Sequence, residues 1–164
     1  KFKSYTDRGL LVPDELVVAM VSNRLNERDC QKGYILDGFP RTIRQAEEFG
    51  KMGGVVDCVL CFEVADEDVI KRMTGRRVCA DCGTPYHIYG KPPKKENICD
   101  LCGGKLVSRV DDAPDTVLER LRIYHSETEP LTRFYKEKCK YFSIEATGTV
   151  EETTTKAKTA LETL

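Results

Sequence analysis

Cys79, Cys82, Cys99 and Cys102 form two Cys-x-x-Cys pairs with sixteen residues between them. Each pair precedes a glycine, Gly83 or Gly103, which suits a tight turn. Two such turns facing each other deliver four thiolates to one tetrahedral Zn²⁺ at about 2.3 Å. Four protein thiolates leave no open position for water, so the predicted site is structural; four inert or redox thiols are the alternative. The other residues suited to chemistry are arginines. Arg41 stands four residues before Gln45, a spacing that puts a guanidinium and a carboxamide on one helix face. Arg72 and Arg76 are also four apart and precede the first cysteine pair, while Arg109 and Arg120 follow the second. A planar, permanently charged fork binds phosphate oxygens in bidentate fashion. Four arginines around a metal-stapled segment point to phosphate handling; the bland alternative is that each is a solvated surface arginine or one half of an ion pair.

These side chains need elements to carry them. Residues 13–28 predict an amphipathic helix with Leu16, Ala19, Met20, Asn23 and Leu25 on one buried face. A short strand is expected at Tyr34–Asp37, a helix at Thr42–Phe49, and a strand buried on both faces at Val55–Glu63. A short helix is predicted at Asp66–Met73. From Gly75 to Asp112 glycines, prolines, cysteines and β-like runs (Thr84–Tyr89, Lys105–Ser108) replace helical periodicity. A long helix is then expected from Pro114 to about Lys138, bent near Pro130. A strand at Tyr141–Ala146 and a closing helix at Val150–Leu164 complete an α/β layered domain with a small metal-stapled insert.

Composition bounds the rest. The 164 residues carry 26 basic and 27 acidic side chains and are 40% hydrophobic. The balance removes the basic excess of a general nucleic-acid binder. No apolar run is long enough to span a bilayer, and because Lys1 to Arg8 has no apolar h-region no signal peptide is expected. A soluble, cytoplasmic, monomeric protein with reduced cysteines is expected. Cys30, Cys58, Cys61 and Cys139 read as small buried hydrophobes. The segment Arg76–Arg109 holds seven Lys/Arg against three Asp/Glu, weakly basic once zinc and its thiolates are counted. On composition alone that excess suits a nucleic-acid-binding ribbon or a nucleotide phosphate site equally.

The run Tyr34-Ile35-Leu36-Asp37-Gly38-Phe39-Pro40-Arg41-Thr42, with Gln45 and Ala46 behind it, resembles the Asp-Gly-Phe-Pro-Arg signature of adenylate kinases. Gly9 to Glu15 resembles the end of that family's AMP-binding region. Thr74-Gly75-Arg76-Arg77 and the four cysteines resemble the zinc-bearing lid of its long form. Arg109, Asp111-Asp112, Arg120 and Tyr124-His125 resemble the lid exit and the following helix. The resemblance implies a P-loop nucleoside monophosphate kinase-like fold, a parallel sheet flanked by helices with a small zinc-bound β lid. Residues 1–12 would be the remainder of the AMP-binding region, 13–74 and 113–164 the core, and 75–112 the lid.

By the same resemblance, Leu10, Leu11, Val12, Gly38, Phe39, Pro40, Arg41 and Gln45 bind AMP, joined by Arg109 and Arg120. Arg72, Arg76, Pro85, Tyr86 and Val150 bind ATP, and Asp37 holds Mg²⁺ through water. Arg41, Arg76, Arg109 and Arg120 serve transfer of the terminal phosphoryl group of Mg-ATP to AMP, giving two ADP. Partners are ATP and AMP/ADP, with no nucleic acid and no membrane. Bland roles stand beside some of these. Asp37 can cap the next helix, Asp111 and Asp112 read best as an N-cap pair for the helix at Pro114, His87 and His125 as locally bonded, and Tyr124 as core. The family's first strand and glycine-rich phosphate loop have no counterpart here: no Gly-x4-Gly-Lys-Ser/Thr occurs. Either the chain is part of a longer protein, the preferred reading, or it is a fragment that binds AMP weakly and holds zinc; alone it is expected to turn over poorly. The rival functions are a GTP-dependent AMP kinase and a non-catalytic zinc-containing nucleotide-binding module.

Overall fold

The computed structural model describes residues 3–164, so the first two positions of the expected 1–12 segment lie outside the described residues. In chain order the elements are α1 (Lys3–Thr6), α2 (Asp14–Leu25), a 3-10 turn (Arg28–Lys32), α3 (Ile43–Lys51), β1 (Cys58–Glu63), α4 (Asp66–Thr74), β2 (Arg76–Cys79), β3 (Pro85–His87), β4 (Leu106–Val107), a 3-10 turn (Val110–Asp112), α5 (Pro114–Ile123), a π-helical turn (Tyr124–Thr128), α6 (Leu131–Lys136), β5 (Lys140–Glu145) and α7 (Val150–Leu161). They gather into two compact units. One holds the chain up to Leu10 and Ala65–Leu121, the other Leu11–Val64 and Arg122–Leu164.

The second unit is built on a parallel pair, β1 beside β5, in register from Cys58 opposite Lys140 to Glu63 opposite Glu145. The Ala146 N–H donates to the Glu63 carbonyl at 2.9 Å, and the Ser143 hydroxyl donates to the Glu63 carboxylate. Helices α6 and α7 pack on β5, and α2 packs on α3. Ala46, Leu131 and Tyr135 are buried together, with Val56, Val59, Cys139 and Tyr141 packed against them. The Thr149 hydroxyl accepts the Glu152 N–H at 3.2 Å while the Glu152 carboxylate accepts the Thr149 N–H at 2.7 Å, a reciprocal cap that starts α7.

The first unit carries an antiparallel sheet in the order β3-β2-β4. Arg76 lies opposite His87, Arg77 opposite Tyr86, and Cys79 opposite Leu106. Cys79, Tyr86, Cys99 and Leu106 form its buried cluster. Among the described residues no helix is long and apolar enough to cross a membrane.

Several expectations are corrected. Tyr34–Asp37 is not a strand: among the described residues no neighbour takes its ladder bonds, and Ile35 is 96% exposed. The Tyr34 hydroxyl instead donates to the Val55 carbonyl at 2.7 Å and accepts the Val55 N–H at 3.1 Å. The strand after it starts at Cys58 and is half-buried, not buried on both faces, because among the described residues only β5 pairs with it. Helix α2 ends at Leu25 and buries none of its residues fully; Leu16 and Met20 are exposed, since α3 covers one side of it only. The scattered cysteines 30, 58, 61 and 139 are half-buried thiols.

The helix expected over 114–138 is interrupted. The Glu129 N–H reaches back five residues to the Tyr124 carbonyl at 2.8 Å, widening the turn just before Pro130, whose ring cannot follow an α-turn and which has no N–H to give. Tyr124, read as core, is 41% exposed at the head of that turn, edge-on to His125.

Candidate active site and metal centre

The four cysteines come together. Their sulfurs lie within 4.8 Å of one another, with Cys79–Cys102 at 3.4 Å and Cys82–Cys99 at 3.6 Å. These gaps are far longer than a disulfide's roughly 2.05 Å. They approach the edge of about 3.8 Å that a tetrahedron with metal–sulfur bonds of about 2.3 Å requires. The two halves are built alike. The Cys79 carbonyl accepts the Gly83 N–H at 3.0 Å and the Cys79 N–H donates to the Thr84 carbonyl at 3.0 Å. Cys99 repeats this with Gly103 at 2.9 Å and Gly104 at 2.8 Å. Gly83 and Gly103 take φ of +72° and +76°, the left-handed turn that glycine adopts without strain.

Tyr86 buttresses the cluster. It is 5% exposed, and its hydroxyl accepts the Asp100 N–H at 2.7 Å, which leaves its proton for the Cys99 sulfur at 3.5 Å. That bond lowers the Cys99 thiol to about 6. Cys102 is pushed the other way, up to about 12; the Gly104 N–H pulls it down, and the Cys79 and Cys82 thiols outweigh that pull. Four clustered sulfurs repel once ionised, and a divalent cation among them removes the repulsion. The donor set fits structural zinc.

The arginines of the same unit are held on two carboxylates. Arg109 makes a bidentate pair with Asp111, Nε to Oδ1 at 2.9 Å and Nη2 to Oδ2 at 2.7 Å. Arg120 Nη1 approaches Asp111 Oδ2 at 3.4 Å. Arg76 Nε stands 3.3 Å from Asp112 Oδ2. Asp112 is 3% exposed, and among the described residues neither of its oxygens finds a well-aligned hydrogen bond. Burial, opposed by Arg76, raises its carboxyl above the ordinary aspartate range. The N-cap expectation for Asp111 and Asp112 is thereby corrected: the residue entering α5 is Ala113, whose carbonyl accepts the Val117 N–H at 2.9 Å, and both aspartates face arginines. Three guanidinium groups on two carboxylates leave a net positive cluster, suited to an anion.

Arg41 and Gln45 belong to the other unit. The Arg41 Nε donates to the Gly38 carbonyl at 2.8 Å. Gly38 has φ of +69°, and a Cβ there would sit 2.8 Å from Arg41 Nη2, so the guanidinium occupies the space that glycine leaves. Phe39 is buried edge-on against Phe49, and a cis peptide joins it to Pro40. Thr42 caps α3 by accepting the Gln45 N–H, so Asp37 is not its cap and stands exposed. Gln45 is engaged by Arg41 and Asp14, a network that sequence spacing does not announce. Leu11 and Val12 are half-buried in extended chain before α2, and Leu10, in the first unit, is half-buried too. Arg72 lies on α4, Pro85 is exposed on β3, and Val150 is exposed at the first turn of α7. His87 Nδ1 accepts the Tyr89 and Gly90 N–H groups, and His125 pairs with Glu129 at 2.8 Å, both local contacts as expected.

A parallel α/β unit, a β insert with four clustered cysteines and arginines held on carboxylates define an α/β protein with a net positive cluster. The adenylate kinase family model matches residues 1–140. The chain is 53% identical over 142 residues to an adenylate kinase of Caldicellulosiruptor saccharolyticus, covering 84% of this chain and 66% of that one. It is 49% identical over 165 residues to that of Acetivibrio thermocellus (98% and 76%) and 48% identical over 166 residues to that of Carboxydothermus hydrogenoformans (99% and 78%). The chain belongs to the adenylate kinase family, nucleoside monophosphate kinases with an α/β fold. It spans about two thirds to three quarters of the length of these curated relatives.

Proposed function

We propose that the protein moves the terminal phosphoryl group of Mg-ATP to AMP, giving two ADP by direct in-line transfer. Such a reaction asks for positioning, charge neutralisation and exclusion of water more than for covalent chemistry. The observation that supports the reading best is the cluster of Arg76, Arg109 and Arg120 on Asp111 and Asp112. The carboxylates offset the mutual repulsion of the three cations and hold them oriented while a polyanion is absent. Arg41, braced on Gly38, adds the fourth cation.

In this reading AMP lies against Leu10, Leu11, Val12, Gly38, Phe39 and Pro40, its base faces Gln45, and Arg41, Arg109 and Arg120 take its phosphate. ATP stacks on Arg72, meets the Val150 backbone, and gives its phosphates to Arg76. Pro85 and Tyr86 touch ATP from the lid; the Tyr86 ring is committed to Cys99, so that contact uses its backbone. Asp37 would hold Mg²⁺ through water, and the ion would supply charge neutralisation to the ATP phosphates. Zinc pins Cys79, Cys82, Cys99 and Cys102. Residues 75–112 act as the lid on a core of 13–74 and 113–164, with 1–12 completing the AMP region, and the protein works as a cytoplasmic monomer.

The test is affinity for a bisubstrate mimic, two adenosines joined by five phosphates, measured calorimetrically on the full chain. Arg41→Ala and Arg120→Ala should each weaken binding about tenfold to a hundredfold, the scale of a charge-assisted hydrogen bond. Unchanged binding in both variants overturns the assignment.

A further inference from the structure

The carboxamide of Gln45 is 2% exposed and gripped at both ends. Its Oε1 accepts the Arg41 backbone N–H at 2.7 Å, and its Nε2 donates to Asp14 Oδ1 at 2.7 Å. Asp14 is steadied in turn: its Oδ2 accepts the Thr42 hydroxyl at 3.1 Å, and that hydroxyl accepts the Gln45 N–H at 3.1 Å. A carboxylate only accepts, and a backbone N–H only donates. Turning the carboxamide over would set Oε1 against the Asp14 oxygen and the NH₂ against the Arg41 N–H, two repulsive contacts in place of two bonds. Away from water, neither mismatch is relieved by solvent. The side chain therefore has one orientation, with one N–H and one carbonyl lone pair left over.

We infer that Asp14 is a specificity-determining positioning residue: by locking the orientation of Gln45 it selects a 6-aminopurine monophosphate over a 6-oxopurine one. This rests on the reading of Gln45 as the base-facing residue. Adenine offers an acceptor at N1 beside a donor at its 6-amino group, which match the spare N–H and lone pair of the locked carboxamide. A 6-oxopurine in the same pose offers N1–H beside O6, the reverse pattern, and matching it requires the turned-over amide that Asp14, with the Arg41 N–H, opposes. Discrimination then comes from a built-in penalty against the wrong base as much as from attraction to the right one.

Calorimetric affinities for AMP and IMP on the full chain test this. Asp14→Asn keeps the shape but can donate or accept, so one of the two mismatches that oppose turning the Gln45 amide is lifted while the Arg41 N–H contact stays. The preference for AMP over IMP should fall about tenfold or more, with the affinity for ATP unchanged. Asp14→Ala, which removes the acceptor, is read the same way should the Asn variant fold poorly, and melting temperatures are taken for both. A merely structural role weakens AMP and IMP by the same factor; an unchanged ratio in the folded variants overturns the inference. Gln45→Ala separates the two layers. If it leaves AMP affinity intact, the base-facing role of Gln45 is wrong and the inference falls with it. If it weakens AMP while Asp14→Asn preserves the ratio, only the inference is wrong.

Discussion

Asp112 is the residue whose chemistry is most at odds with its surroundings. Burial favours its neutral form in the folded protein, and Arg76 only partly opposes this. A raised folded-state value means that the native state binds the proton more tightly than the unfolded chain. Its contribution to stability is therefore complete below the ordinary aspartate range and is lost as pH rises through the raised value. Asp112→Asn lacks this titration. Its melting temperature relative to the parent should be higher at pH 7 than at pH 4, whereas a constant offset across that range would refute the account. Tyr86 is tested in a different way. Its hydroxyl bonds the sulfur of Cys99, one of the four thiols proposed to hold zinc, and loss of such an outer partner typically weakens metal binding by about 10- to 100-fold. Tyr86→Phe should show that loss in a zinc competition titration, with the ring packing kept; an unchanged affinity would leave the hydroxyl without a role.

At the scale of elements, the insert from 75 to 112 is held by three short strands and the cysteine cluster. Strands of two to four residues bury little, so the metal is expected to supply much of the local order. Chelation should lower the melting temperature and speed amide exchange across 75–112 before the rest of the chain; identical exchange with and without chelator would remove zinc from the picture. Helix α7 makes a cleaner case. Thr149→Ala deletes its reciprocal cap and should cost about 1 kcal/mol in denaturant melts.

For the whole molecule, a ligand that binds only the folded protein stabilises it by mass action, about 4 kcal/mol at a thousandfold excess over Kd. The bisubstrate mimic should raise the melting temperature in proportion to the logarithm of its concentration, and should do so less in Arg120→Ala. A shift of equal size for a mimic lacking one adenosine would speak against two nucleotide pockets.

Much was legible before any coordinates. The two Cys-x-x-Cys-Gly turns are local devices, and their geometry follows from spacing and a glycine in the left-handed region. The cap of α3 is local too, the Thr42 hydroxyl standing three residues ahead of the Gln45 N–H it accepts, yet the sequence alone places Thr42 inside the helix and offers Asp37 as a cap. By contrast, Tyr34–Asp37 reads as a strand because strand propensity is a property of residues, while pairing is a property of neighbours, and among the described residues none pairs with it. Asp111 and Asp112 read as helix caps by position alone; Arg109 stands two residues from Asp111, but only folding brought Arg76 to Asp112 and Arg120 to Asp111. Asp14 and Gln45 lie 31 residues apart, and their bond depends on α2 packing against α3. Types, spacing and turns were thus determined by the sequence itself, because they depend on bonds within a few residues. Which carboxylate meets which cation, and which way a carboxamide faces, was decided by tertiary structure, because those partners become neighbours only when distant elements pack.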